Sequence, residues 1–119
     1  MTKAEKAVEN HKHFYNCAAS VLCAFAEDAG LNKADAKAAA APMAGGRQGK
    51  CGAVLAAQYV LTKRFPGQAD EMAAKLEEQF KAKNRSVICK ELKGGLTGSV
   101  LRPCRGCVAD AAELLEKMI

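Results

Sequence analysis

Six cysteines, at positions 17, 23, 51, 89, 104 and 107, have the most distinctive chemistry in this chain of 119 residues. A thiolate binds metal ions and attacks disulfides, and it is stabilised at the start of a helix and beside a basic side chain. Cys51, Cys89 and Cys104 meet both conditions, because each lies at or within the first turn of a predicted helix and adjoins a lysine or an arginine. The sequence therefore predicts three thiols in settings that favour the thiolate.

The two cysteines nearest the amino terminus occupy different sides of the first predicted helix. Cys17 falls on an apolar stripe that also contains Phe14 and Val21, whereas Cys23 lies on a flank rotated well away from it. Cys17 could therefore meet the other three thiols in one core, with one sulfur from each of four helices. Cys23 has no helix-start setting, and we interpret it as an inert thiol.

A glycine-rich loop, "AGGRQGKC" at positions 44–51, ends at Cys51. It superficially resembles a phosphate-binding loop, but it has a cysteine where that motif needs a serine or threonine, and no strand is predicted before it. We interpret the loop as a source of backbone N–H groups for an anionic sulfur, or for a cluster attached to it. Arg47 and Lys50 are then expected near the site, because a group of thiolates needs compensating positive charge.

The segment "CRGC" at positions 104–107 supports a different hypothesis. A C-x-x-C pair at a helix start suits thiol–disulfide exchange, with Cys104 as the attacking thiol and Cys107 as the resolving thiol. The βαβ context of thioredoxin-like motifs is not predicted here. A structural hypothesis also stays open, in which the cysteines hold a zinc ion or pack in reduced form in the core.

The elements that must position these thiols are all predicted to be helices. Alanine is abundant, β-branched residues are few and there are only three prolines, which favours helices over strands. Apolar periodicity and capping signals predict helices over residues 3–29, 33–41, 51–63 and 70–83, a short helix after Ser86, and a last helix from Pro103. The prediction is an all-α, compact bundle of about five to six helices that forms a single domain over residues 1–119.

Charge and hydropathy argue against several classes of protein. The net charge is +5, but basic and acidic residues are mixed along the chain without a polybasic tract, so nucleic-acid binding is not expected. No apolar run approaches the ~18 residues that cross a bilayer, and the charged first residues do not resemble a secretory signal. We therefore expect a cytoplasmic protein without membrane insertion, where six cysteines suit metal binding or redox chemistry better than structural disulfides.

Four segments of the chain resemble the C-GCAxxG-C-C family of redox-active proteins. They are "NCAASVL" at 16–22, "CGAVLAA" at 51–57, "CKEL" at 89–92 and "CRGCVADAAELL" at 104–115, in the order and approximate spacing of the family. The resemblance implies that the four signature cysteines are Cys17, Cys51, Cys89 and Cys104. Cys104 is preferred to Cys107 because the family tends to have a valine four residues after its last cysteine, and Val108 stands at that distance.

Two features depart from the pattern of the family. Ala56 stands where the family has the glycine that closes its central motif, and Cys23 and Cys107 are additional cysteines. The family in turn resembles the cysteine-bearing domain of split-Soret cytochromes, which implies that an iron–sulfur cluster could be bound.

We therefore expect a redox-active binding protein, closer to an electron carrier than to a catalyst. Its four signature thiolates would hold an iron–sulfur cluster of the 2Fe–2S type for one-electron transfer. Zinc or no cofactor at all are the alternatives, and no catalytic residue is assigned. A redox partner protein follows from this function, and a homodimer is left open.

Overall fold

Alanine-rich, capped segments form seven α-helices in the computed structural model, which describes residues 2–46, 48–92, 94 and 101–119. The helices are α1 (Lys3–Lys12), α2 (Cys17–Ala24), α3 (Lys33–Ala40), α4 (Gly52–Arg64), α5 (Ala69–Asn84), α6 (Cys89–Leu92) and α7 (Cys104–Met118). A 3-10 turn over Ala41–Gly46 follows α3, and a second one over Pro66–Gln68 precedes α5. The all-α prediction is confirmed for the described residues, with seven helices rather than five to six.

The additional helix arises because the predicted helix over residues 3–29 is interrupted after α1. Phe14 adopts a left-handed backbone (φ 70°), and its side chain is 99% exposed instead of belonging to the apolar stripe. Asn16 then begins α2, because its side-chain oxygen accepts a hydrogen bond from the Ala19 N–H at 2.7 Å. Cys17 is therefore the first residue of a helix, and the expectation of a mid-helix position was wrong.

The core is built around α4, and most residues in the first three turns of this helix are buried, as its largely apolar sequence predicts. It packs against α2, α5 and α7, while α1 packs against α2 and α7. Large, fully buried side chains on or next to these helices include Leu22, Phe25, Val54, Leu61, Leu76, Phe80, Val108 and Leu115. The radius of gyration is 12.8 Å, close to the ~13.5 Å expected for a compact chain of this length.

The predicted helix ends agree with the structure to within a few residues in the second half of the chain. Gly94, predicted to close the short helix that carries Cys89, has a left-handed φ of 89°. Gly95, the other glycine of that prediction, lies outside the described residues. Across the part of the chain that the structure describes, no helix has both the length and the apolar character needed to cross a membrane.

Candidate functional site

The Cys17 sulfur packs against the start of α4. A Cβ atom placed on Gly52 would lie 2.6 Å from the Cys17 Sγ and 2.8 Å from the Met43 carbonyl oxygen, which is closer than a side chain can approach. Gly52 is therefore the point at which α2, the 3-10 turn after α3 and α4 come into contact. Because Gly52 follows Cys51 directly, this contact brings the segments of the first and second signature cysteines together.

An isolated antiparallel β-bridge joins the segments of the second and third signature cysteines. The Cys51 N–H donates to the Val87 carbonyl oxygen at 2.7 Å, and the Cys89 N–H donates to the Gly49 carbonyl oxygen at 3.0 Å. Each cysteine therefore uses its own backbone amide to hold the segment of the other.

Ser86, predicted to be the N-cap of the short helix, lies in the turn before it, because α6 begins at Cys89. The Ser86 hydroxyl accepts a hydrogen bond from the Ile88 N–H at 2.9 Å and donates one to the Glu91 carboxylate at 2.7 Å. Ser86 is only 3% exposed, so water competes little for these bonds. They hold α6 against the β-bridge.

Two contacts tie the start of α7 to the rest of the molecule. The carbonyl oxygen of Leu92, the last residue of α6, accepts hydrogen bonds from the Leu101 N–H at 2.9 Å and the Arg102 N–H at 3.3 Å. The Arg105 Nε donates to the His11 Nδ1, in the last turn of α1, at 3.3 Å. The segment that leads to Cys104 is therefore fastened to the helix that carries Cys89.

Each of the four signature cysteines lies at the start of a different helix. Cys51 is the N-cap of α4, while Cys17, Cys89 and Cys104 are the first residues of α2, α6 and α7. In α2, α4 and α7 the unpaired N–H groups of the first turn favour a negative charge, whereas α6 is a single turn and too short for this argument. Three junctions, at Gly52, at the β-bridge and at the Leu92 carbonyl, connect the four helix starts in series.

The thiols themselves differ in burial and do not form a compact ligand group. Cys51 is 4% exposed, whereas Cys17, Cys89 and Cys104 are half-buried. Within the described ranges, no three histidine, cysteine, aspartate or glutamate side chains are grouped so that they could hold a metal ion. All six cysteines belong to those ranges, and no disulfide joins any of them. The four-thiol ligand set therefore stays a prediction.

Cys23 lies near the end of α2, beside a surface cavity that is separate from the three junctions. The cavity has a volume of about 460 Å³ and is also lined by Leu31 and Lys33. Burial raises the pKa of the Cys23 thiol, and the positive charges of Lys37 and Lys33 offset part of this effect. A raised pKa is consistent with the interpretation of Cys23 as a thiol of low reactivity.

Of the two basic residues expected near the site, Lys50 lies in the β-bridge, directly before Cys51. The Lys50 ammonium binds the Glu77 carboxylate of α5 at 2.5 Å, and this hydrogen bond is the main reason why the pKa of Glu77 is lowered. The charge of Lys50 is therefore balanced by a carboxylate, and its contact fastens the β-bridge to α5. Arg47 lies outside the described residues.

A buried carboxylate beside the CRGC segment, paired with two partly exposed basic residues, was not anticipated from the sequence. Asp110 is 2% exposed, and its carboxylate binds the Arg102 guanidinium and the Lys83 ammonium. Cys107 is also 2% exposed, and its thiol donates a hydrogen bond to the Arg102 carbonyl oxygen at 3.7 Å. The available signal was the spacing, because Asp110 follows Cys107 by three positions and so lies on the same face of the last helix.

Comparison with known proteins agrees with this geometry. Residues 15–118 match the family C_GCAxxG_C_C, described as "Putative redox-active protein". No curated protein and no solved structure matches the chain. The matched range contains the four signature cysteines and the three junctions that connect them. The chain therefore belongs to the C_GCAxxG_C_C family of redox-active proteins.

Proposed function

We propose that this chain is a one-electron transfer protein in which an iron–sulfur cluster of the 2Fe–2S type is held by Cys17, Cys51, Cys89 and Cys104. The family is redox-active, and cysteine thiolates are the general ligands of iron–sulfur clusters. The observation that carries the proposal is the series of three junctions. They bring together four cysteine-bearing helix starts that are spread over residues 17–104 of the chain.

The donor set is chemically suited to such a cluster. Four thiols match the number of cysteine ligands that a 2Fe–2S cluster takes. When bound, the cluster would accept and release a single electron.

The chain itself would orient the thiols and limit the access of water. Packing against Gly52 restricts where the Cys17 sulfur can lie, and the position of Cys51 at the buried end of α4 shields its thiol. Ala56, where the family has a glycine, is fully buried in α4, so its additional methyl group is accommodated within the core. Cys89 and Cys104 are half-buried, and a redox partner protein would exchange its electron near these thiols.

Anaerobic purification followed by absorption spectroscopy and iron and sulfide analysis tests the proposal. Serine variants of the four proposed ligands should each lose most of the iron and the visible spectrum, because a missing thiolate leaves the cluster incompletely ligated. Cys23→Ser is the matched control and should retain both, since Cys23 lies beside a separate cavity. Cys107→Ser should retain both as well.

Two results would show that the proposal is wrong. One is a wild-type protein that contains zinc, or no metal, after anaerobic purification. The other is a Cys23→Ser variant that loses as much iron as Cys17→Ser, because the iron would then not be bound at the four signature cysteines.

The unequal burial of Cys104 and Cys107 favours thiol–disulfide exchange as a second candidate function. The Cys104 thiolate would attack a substrate disulfide, form a mixed disulfide and release one substrate thiolate. Cys107 would then attack Cys104, release the second substrate thiolate and leave a Cys104–Cys107 disulfide. With oxidised glutathione as the substrate, Cys107→Ser should trap a mixed disulfide at Cys104, and Cys17→Ser should leave exchange nearly intact. A Cys107→Ser variant that traps no adduct would exclude this function.

A further inference from the structure

The buried Asp110 carboxylate next to the CRGC segment, with its partners Arg102 and Lys83, has no role in the function proposed above. The Asp110 carboxylate contacts the Arg102 Nε at 3.0 Å, the Arg102 Nη2 at 3.3 Å and the Lys83 Nζ at 3.0 Å. A carboxylate that is 2% exposed is stable in its charged form only when it is paired and hydrogen-bonded. Arg102 supplies two of these three contacts through a planar fork, so the guanidinium is held in a defined position.

The position of the guanidinium depends on Gly106. A Cβ atom placed on Gly106 would contact the Arg102 Nε and would lie 2.7 Å from the Arg102 Cζ. The guanidinium therefore lies directly over the first turn of α7, in the space that a side chain at position 106 would occupy. Gly106 stands between the two cysteines of the CRGC segment.

The backbone of the same arginine holds one of the two thiols. The Cys107 thiol donates to the Arg102 carbonyl oxygen, and Cys107 is 2% exposed. Cys104, in contrast, is half-buried at the start of α7.

We propose that Arg102 and Asp110 are a positioning pair that separates the two thiols of the CRGC segment. The pair fixes the Arg102 backbone so that the Cys107 thiol stays buried, and it leaves Cys104 as the more accessible thiol. It therefore selects Cys104 as the fourth thiol of the candidate site, a choice that the residues of the segment alone leave open. This inference rests on the proposed function only in treating Cys104 as a site thiol.

Thiol-specific alkylation tests whether the Arg102–Asp110 pair keeps Cys107 less accessible than Cys104. The whole chain, reduced and treated with a chelator, is reacted with iodoacetamide at several pH values, and the modification of each cysteine is followed by mass spectrometry. In the wild-type protein Cys107 should react at least about tenfold more slowly than Cys104, because a buried thiol reacts only after local opening. Gly106→Ala displaces the guanidinium without changing Arg102 or Asp110, so it should raise the Cys107 rate towards that of Cys104.

Matched controls separate positioning from a general loss of stability. Gly67→Ala adds the same methyl group at a glycine whose Cβ would meet nothing within 4 Å, so it should leave all rates unchanged. The alkylation rate of Cys23 serves in every sample as the measure of a general loss of stability. It should stay constant while the alkylation rate of Cys107 rises. If Gly106→Ala does not fold, Asp110→Asn carries the same test, because it keeps the shape of the side chain and removes its charge.

Two results would overturn the inference. Cys104 and Cys107 could react at the same rate in the wild-type protein, or the variants could accelerate Cys23 and Cys107 to the same extent. The alkylation rates are measured without metal, whereas the proposed function is tested by the iron content. A protein that lacks iron but shows the unequal rates would contradict the cluster and support the positioning pair.

Discussion

Two glycines, Gly52 and Gly106, control where functional side chains lie in this protein. The Cys17 sulfur fills the space beside Gly52, and the Arg102 guanidinium fills the space over Gly106. In a helix, glycine is ordinarily about 1 kcal/mol less favourable than alanine. At Gly52 the absent side chain makes room for a thiol and a backbone oxygen from other parts of the chain, so the usual preference should be reversed there.

We expect Gly52→Ala to lower the free energy of unfolding by about 1–3 kcal/mol, the usual cost of an overpacked core. The new methyl group would meet the Cys17 Sγ and the Met43 carbonyl oxygen, and a backbone oxygen cannot move aside without distorting the 3-10 turn. Equilibrium unfolding in urea measures the change. Gly67→Ala, at an open position, should stay within about 0.5 kcal/mol of the wild type. A Gly52→Ala variant as stable as the wild type would refute the close contact.

At the scale of elements, one surface ion pair fastens the cysteine-bearing β-bridge to α5. Lys50 lies in the bridge, directly before Cys51, and its ammonium binds the Glu77 carboxylate. The pair is partly exposed, with 40% of the Lys50 side chain and 31% of the Glu77 side chain accessible. Such pairs contribute little to the total stability, but this one connects the two segments that carry Cys51 and Cys89 to a third element.

This pair predicts a specific dependence of stability on acid. The pKa of Glu77 is lowered in the folded protein, so the contact stabilises the fold above the ordinary value of 4.5 and is lost as the pH falls below it. The loss should be less than about 1 kcal/mol because the pair is exposed to solvent. The urea concentration at the midpoint of unfolding should decrease between neutral and acidic pH, and this decrease should be smaller in Glu77→Gln than in the wild type. Glu78→Gln, an exposed neighbour, is the control and should follow the wild type.

At the scale of the whole molecule, the candidate site is assembled from both ends of the chain. Cys17 belongs to α2, Cys104 belongs to α7, and both helices pack on the central α4. A ligand bound at once to thiols from four helices would bind the folded chain and not the unfolded one. Binding would therefore be linked to folding.

Removal of the metal should consequently lower the melting temperature. We expect a fall of several degrees when iron-loaded protein is treated with a chelator, since about 1 kcal/mol corresponds to roughly 4 °C in a domain of this size. Differential scanning calorimetry under anaerobic conditions measures it. Cys17→Ser should show no such response, because it lacks one proposed ligand. A wild-type protein whose iron is removed without any change in melting temperature would contradict a site shared by four helices.

Much of this architecture could be predicted from the sequence, because the signals involved are local. The serine at position 86 before the short helix, the apolar run of α4 and the glycine at position 94 are such local signals. The positions of Cys51, Cys89 and Cys104 at helix starts follow from the same signals. The prediction failed at Phe14, since only the structure shows that this residue takes a left-handed backbone and divides the first helix in two.

Only the tertiary structure decided how the cysteine-bearing segments meet. The contact of Cys17 with Gly52, the pairing of residues 49–51 with 87–89 and the ion pair of Asp110 with Arg102 and Lys83 join parts of the chain that carry no local signal for one another. Helical periodicity gives the direction of a side chain relative to its own helix axis. The distance between side chains on different helices depends on how the helices pack, so the different burial of Cys104 and Cys107 emerged only from the fold.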